Sequence, residues 1–184
     1  MANQNKKGRW QVTDNELILV DIFDRETGRM SKETAHRRPY LHRAFSIFLY
    51  QEHKILLQKR AAEKYHSGHL WANACCSHPR WGETLAEASQ RRLQEELGIA
   101  CPLQELTSFV YLHQFGAELY EYEYDHILLG QYAGPLKPNP DEIAEIAWLE
   151  ITDLAQDLRA QPGRYAPWFL TAAPLVLAHL QKES

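Results

Sequence analysis

The 184-residue sequence has no long apolar run, no surplus of positive charge and no even set of cysteines. Its uninterrupted apolar stretches, such as Ile47–Tyr50, fall far short of the roughly 20 residues that span a bilayer, so no membrane association is expected. Lys and Arg total 20 against 24 Asp and Glu, a formal charge of −4. A duplex nucleic-acid binder needs the opposite balance, although a local basic pocket for a small anion stays open. The opening residues, MANQNKKGRW, carry two lysines but no apolar segment, so no secretory signal is expected. Cysteine occurs only as Cys75, Cys76 and Cys101. An odd count with two adjacent members is a poor disulfide framework and points to a reducing cytoplasmic setting. There each thiol is structural, a ligand or a reactive group. Repeats and low-complexity tracts are also missing. What remains is 45% hydrophobic and 24% charged, the mix of a soluble globular protein, and the length suits one domain. Nine histidines invite a search for metal ligands, although scattered surface histidine is the commoner case.

Residues 1–15 are polar and read as an N-terminal arm ahead of a domain over 16–184. Glu16–Phe23 (ELILVDIF) reads as a buried strand that ends in a turn over Asp24–Gly28. Pro39 keeps Arg37–Pro39 out of a helix interior. Ala44–Tyr50 and Lys54–Lys59 form a hairpin around Gln51–His53, and Leu70–Ser77 is extended up to Pro79. Thr84 with Glu87 makes a capping box, Gly98 a left-handed stop, and the apolar spacing between them predicts a helix over Leu85–Leu97. Strands follow over Thr107–Gln114 and Leu119–Leu129, joined across Phe115–Glu118. After the proline-rich loop Gly134–Pro140 comes a strand over Ile143–Ile151, then a short helix capped by Thr152 and running through Leu158. A helix over Tyr165–Gln181 closes the chain, with Pro174 either in its first turn or kinking it. Strands interrupted by helices predict an α+β class, with a mixed sheet flanked by helices.

Several residues stand out chemically. On a strand, Glu121, Glu123 and Asp125 share one face and Tyr120, Tyr122 and Tyr124 the other. Three adjacent carboxylates repel one another, so water or a cation must relieve them. Taken alone, that face reads as the solvent side of the strand. His36, His42 and His78 with two carboxylates would suit Mn²⁺, Mg²⁺ or Zn²⁺. Of the adjacent pair Cys75 and Cys76, a strand turns only one toward any one side. The helix carries Glu83, Glu87, Arg91, Arg92, Glu95 and Glu96, which form either a solvated face with pairs such as Arg92–Glu96 or a carboxylate helix for a Mg²⁺-bridged diphosphate.

Two resemblances follow from these residues. The pattern Ser77-x5-Glu83-x7-Arg91-Arg92-Leu93-x-Glu95-Glu96-x-Gly98-Ile99 resembles the Nudix signature with two departures. Ser77 stands where the family has Gly, and Arg92 stands where it has Glu. The second departure removes a principal carboxylate of Nudix hydrolases and argues against pyrophosphate hydrolysis. Asn139–Leu154 resembles the segment that follows the box in that superfamily. More closely, Asn73-Ala-Cys-Cys76-Ser-His78-Pro79 and Glu121-Tyr-Glu123 resemble the catalytic-cysteine and E-x-E motifs of type I isopentenyl-diphosphate isomerases. The motifs keep the family's order from about residue 17 to the C-terminal helix.

That resemblance implies a Nudix-like mixed sheet flanked by helices in a single domain. It implies interconversion of isopentenyl and dimethylallyl diphosphate, with Cys76 and Glu123 as the proton-transfer pair and Tyr111 on the Glu123 side. His36, His42, His78, Glu121 and Glu123 would hold a metal (Mn²⁺, Mg²⁺ or Zn²⁺), and Glu96 a Mg²⁺ that arrives with the diphosphate. Lys32, Arg60, Lys64 and Arg92 would bind the diphosphate. Trp168 would face carbocation character on the five-carbon chain, in a site dry enough to protect it. The thiol pKa is expected to move toward neutrality beside charge. The partner is then a small isoprenoid diphosphate, with no nucleic acid, membrane or obligate protein partner implied. Two alternatives stay open: a Nudix-type diphosphate hydrolase, and a non-catalytic domain in which Cys76 and the histidines hold a structural zinc.

Overall fold

Ten residues from His42 to Gln51 (β3) form the spine around which the sheet is built, in a computed structural model that describes residues 16–64 and 66–182. The N-terminal arm lies outside the described residues. On one side β3 pairs in parallel with β8 (Leu119–Gln131) along its whole length, from His42 opposite Glu123 to Tyr50 opposite Gln131. On the other side it meets β1 (Glu16–Val20) at His42, β6 (Cys75–Ser77) at Phe45–Ile47, and β4 (Lys54–Arg60) through a hairpin. β2 (Glu26–Ser31), β5 (Trp71–Asn73), β7 (Gln104–Phe115) and β9 (Ile143–Glu150) complete nine strands among the described residues.

Alternation along the strands divides the core in two. Phe45, Ile47 and Leu49 pack with Leu56 and Leu128 against Leu93 and Leu97 of α2 (Leu85–Leu97). Phe48, Ile55, Leu57, Ile127 and Leu129 face Phe169, Ala173 and Leu177 of α4 (Pro167–Leu180), beside α3 (Ile151–Ala160). The sheet is therefore covered by helices on both faces, the α+β Nudix-like arrangement expected. The capping box forms as read: the Thr84 side chain accepts from Glu87 N–H and the Glu87 carboxylate accepts from Thr84 N–H. Gly98 ends the helix at φ 67°.

Local expectations differ in five places. β1 stops at Val20 rather than Phe23, because the Asp21 carboxylate accepts from Phe23 N–H and Arg25 N–H and so folds a turn. The supposed turn over Asp24–Gly28 is mostly strand: β2 returns from Glu26 and pairs with β1. A six-residue helix α1 (Lys32–Arg37) follows, capped by Ser31, and its end at Arg38 agrees with the restriction imposed by Pro39. Leu70–Ser77 is two strands, with β5 on β4 and β6 on β3. The break is set by buried Asn73, whose Nδ2 donates to the Ile47 and Cys75 carbonyls at 3.2 and 2.6 Å. Finally, α3 begins at Ile151, so Thr152 lies inside its first turn, and Pro174 lies in the interior of α4.

Candidate active site

Four side chains from four elements meet at one end of β3. His36 comes from α1, His42 from the first position of β3, His78 from just after β6, and Glu123 from β8 directly opposite His42. The imidazole centroids lie 4.9 Å (His36–His42), 5.0 Å (His42–His78) and 5.5 Å (His36–His78) apart. Glu123 Oε1 is 2.7 Å from His78 Nε2 and 3.6 Å from His42 Nε2. One donor atom from each of the four falls within 4.8 Å of the others, and all four residues are buried.

Two tautomers follow from the backbone. His36 Nδ1 lies 2.7 Å from the Lys32 carbonyl and His42 Nδ1 2.8 Å from the Tyr40 carbonyl. A carbonyl only accepts, so each ring carries its proton on Nδ1 and leaves Nε2 as a lone-pair donor. Burial holds His36 down at about 4 and His78 at about 3, so both are neutral near pH 7, the form that ligates metal. Glu123 is ionised: burial raises its pKa, but the His78 imidazole, 2.7 Å from Oε1, outweighs this and holds it well below the ordinary value. Three imidazoles and one carboxylate fit a divalent ion.

The other carboxylates of β8 are not on the solvent side. Glu121, Glu123 and Asp125 are all buried, and each is relieved differently. Glu121 Oε1 is 2.6 Å from His66 Nε2 and its Oε2 is 2.9 Å from the Tyr111 hydroxyl. It lies beside the four-residue cluster rather than within it. Glu123 Oε2 faces the same Tyr111 hydroxyl at 2.6 Å. Asp125 accepts from Ser46 Oγ at 2.8 Å, and burial, followed by the nearby Glu123 charge, pushes its pKa well above the ordinary carboxylate value.

Beside this cluster opens a cavity with about 570 Å³ of empty space, mouth included. Cys76, Tyr111, Glu121, Glu123, His78 and Trp168 line one part of it. Lys32, Arg60, Lys64, Arg92 and Glu96 also line it, and His36 and His42 are not among its lining residues. Cys76 and Glu123 come from strands on opposite flanks of β3. Cys75, by contrast, is fully buried against α2, so the adjacent pair divides as strand geometry requires. Trp168 is pinned by its indole N–H donating to Asn73 Oδ1 at 3.1 Å, and the Arg60 guanidinium stands 5.1 Å from its ring.

Electrostatics revise one expectation. Burial pushes the Cys76 thiol up to about 12, against the pull of Arg60. Arg60 Nη1 lies 3.8 Å from the sulfur but does not bring it toward neutrality, so Cys76 keeps its proton. On α2, burial raises Glu96 against the opposing Arg92 charge. Arg92 pairs with Glu95 (2.6 Å) and Glu96. Glu83 and Arg91, both in the signature, are taken up structurally. Arg91 Nε and Nη2 donate to the two Glu83 oxygens at 2.7 and 2.8 Å, and Arg80 N–H adds a third bond to Glu83.

Three lining residues carried no sequence signal of their own. His66 is one histidine among nine, Gln58 is a strand residue whose amide reaches Glu96 at 3.4 Å, and Glu142 is a loop carboxylate. Asn73 was legible only as part of its motif.

Residues 40–169 match the NUDIX domain. The isopentenyl-diphosphate Delta-isomerase 2 of Aromatoleum aromaticum is 45% identical over 166 residues, covering 90% of this chain and 88% of that protein. The isopentenyl-diphosphate Delta-isomerase of Serratia proteamaculans is 45% identical over 86% of this chain and 89% of its own length. Among solved structures, DR0079 from Deinococcus radiodurans superposes with a TM-score of 0.66 over 80% of this chain and 90% of that one, at 21% identity, and so shares the fold. The chain belongs to the isopentenyl-diphosphate Delta-isomerase family of NUDIX-domain proteins.

Proposed function

We propose that this protein interconverts isopentenyl diphosphate and dimethylallyl diphosphate by moving a proton on to one carbon of the alkene and off another. The observation that carries this reading is the shared cavity: a protonated thiol and an ionised carboxylate with an indole, next to four cations. Lys32, Arg60, Lys64 and Arg92 bind the diphosphate and fix the position of the five-carbon chain. Cys76 and Glu123 then exchange protons with it from opposite flanks of β3. Because the reaction is reversible, each group is the acid in one direction and the base in the other. Tyr111, whose phenol is held far above its ordinary pKa by burial, stays protonated and supports the Glu123 oxygen. Trp168 presents an indole face to developing positive charge, worth roughly 2 kcal/mol or more where water is excluded.

His36, His42, His78 and Glu123, with Glu121 alongside, would hold a divalent ion, Mn²⁺, Mg²⁺ or Zn²⁺. When bound, such an ion fixes the carboxylate and tunes its acidity. Glu96 would take a Mg²⁺ carried in by the diphosphate. The partner is a small isoprenoid diphosphate, and three unpaired cysteines fit a reducing cytoplasm. No helix among the described residues is long and apolar enough to cross a membrane.

Hydrolysis is the poorer reading, because Arg92 stands at a hydrolase carboxylate position and Glu83 is occupied by Arg91. A structural zinc held by Cys76 is also disfavoured, since Cys76 is outside the four-residue cluster. The test is incubation with isopentenyl diphosphate and Mg²⁺ in heavy water, beside Cys76→Ala. Deuterated dimethylallyl diphosphate is expected from the wild type, and from the variant a folded, metal-retaining but inactive protein. Phosphate release, or melting with metal loss in the variant, overturns the proposal.

A further inference from the structure

Glu142 lies in the loop just before β9 and lines the same cavity as the four cations. Its two oxygens face two of them: Oε2 pairs with Lys64 Nζ, and Oε1 lies 3.3 Å from Arg92 Nη2. The backbone fixes this placement. The Glu142 carbonyl accepts from Ala61 N–H at 3.0 Å, tying the loop to the turn that carries Lys64. Asn139 N–H donates to the Glu96 carbonyl at 2.8 Å, tying the same loop to the helix that carries Arg92. The carboxylate is thus built into a three-segment junction, with only 22% of its side chain exposed.

Resting on the reading of this cavity as a diphosphate site, we infer that Glu142 is an internal anion that occupies Lys64 and Arg92 until a diphosphate takes them over. In the empty cavity it offsets repulsion between cations that no bound phosphate yet neutralises. When the ligand arrives, Glu142 competes for the same N–H groups and repels the incoming charge. A ligand must therefore carry enough negative charge, over enough oxygens, to displace a carboxylate from two cations at once. This makes Glu142 a specificity residue, one that favours diphosphates over smaller anions.

The opposite possibility, that Glu142 only holds the cations in place, predicts the opposite sign. The experiment is calorimetric titration of the metal-loaded full chain with inorganic diphosphate in Mg²⁺, and separately with inorganic phosphate. Glu142→Gln, which keeps the shape and removes the charge, is expected to bind diphosphate about fivefold tighter, the factor of one partly screened ion pair. It is expected to gain more than fivefold for phosphate, so that the preference for diphosphate over phosphate narrows, and to lower KM for isopentenyl diphosphate about fivefold. Glu142→Ala is measured alongside and moves in the same direction. Weaker or unchanged diphosphate binding in both variants overturns the inference, even while wild type binds and isomerises normally. If diphosphate binds neither wild type nor variants, the cavity is not a diphosphate site and the proposed function fails with it.

Discussion

Removing the Asn73 side chain should damage the fold and the reaction together. Asn73 is fully buried and makes three hydrogen bonds: its amide donates to the Ile47 and Cys75 carbonyls, and its oxygen accepts from the Trp168 indole. It thereby holds β6, which carries Cys76, and α4, which carries Trp168, in one arrangement. Asn73→Ala deletes all three bonds. At about 1 kcal/mol net for each, the loss is roughly 3 kcal/mol, or about 6–12 °C of Tm for a chain of this size. With both β6 and the indole released, kcat should fall by at least about tenfold, since small displacements of reacting groups are costly. Asn73→Asp keeps the acceptor for Trp168 but aims oxygen at two carbonyls, so its Tm should drop at least as far. Thermal melts and steady-state kinetics on the two variants provide the check. A Tm within 2 °C of wild type together with an unchanged kcat for Asn73→Ala refutes the reasoning.

The remaining predictions concern pH, the signature pair, the core and the indole. His36 and His78 are held at about 4 and about 3 in the fold, below the unfolded value of 6.5. The unfolded chain therefore binds protons first, and stability is full above pH 6.5 and declines as pH falls toward 4. The slope approaches about 1.4 kcal/mol per pH unit for each ring. Urea midpoints of chelator-treated protein should fall from pH 7 to pH 5, and a flat profile contradicts this. Arg91→Ala breaks the paired bonds to Glu83 and should cost about 2 kcal/mol by denaturant unfolding; no loss would mean the pair is inert. Leu93→Ala, emptying the core beneath α2, should cost roughly 2–5 kcal/mol and is read in the same way. Trp168→Phe should lower kcat about tenfold, and an unchanged kcat would remove the indole from charge stabilisation.

Elements set by local signals were legible in the chain. α2 needed only Thr84, Glu87, Gly98 and a periodic apolar face, and the β3–β4 hairpin only two apolar runs around a polar turn. β2 and α1 were not legible. ETGRMS shows no apolar alternation, and KETAHR is too short to be helical alone. Both persist because β1 and the sheet hold them. The break at Ala74 was invisible for a related reason: Asn73 makes it by hydrogen bonding to a strand 26 positions away in sequence.

By its own pattern the chain determined that Glu121, Glu123 and Asp125 share a face, that Cys75 and Cys76 part, and that a capped helix carries Arg92 and Glu96. Those are periodicities of the backbone and need no distant partner. Which face is buried, which carboxylates keep their charge and which cations Glu142 holds were decided only when β3 brought β6 and β8 to its two sides. Burial and opposite charge act through space, so the protonation of Cys76, Glu123 and Asp125 depends on neighbours that sequence order does not name.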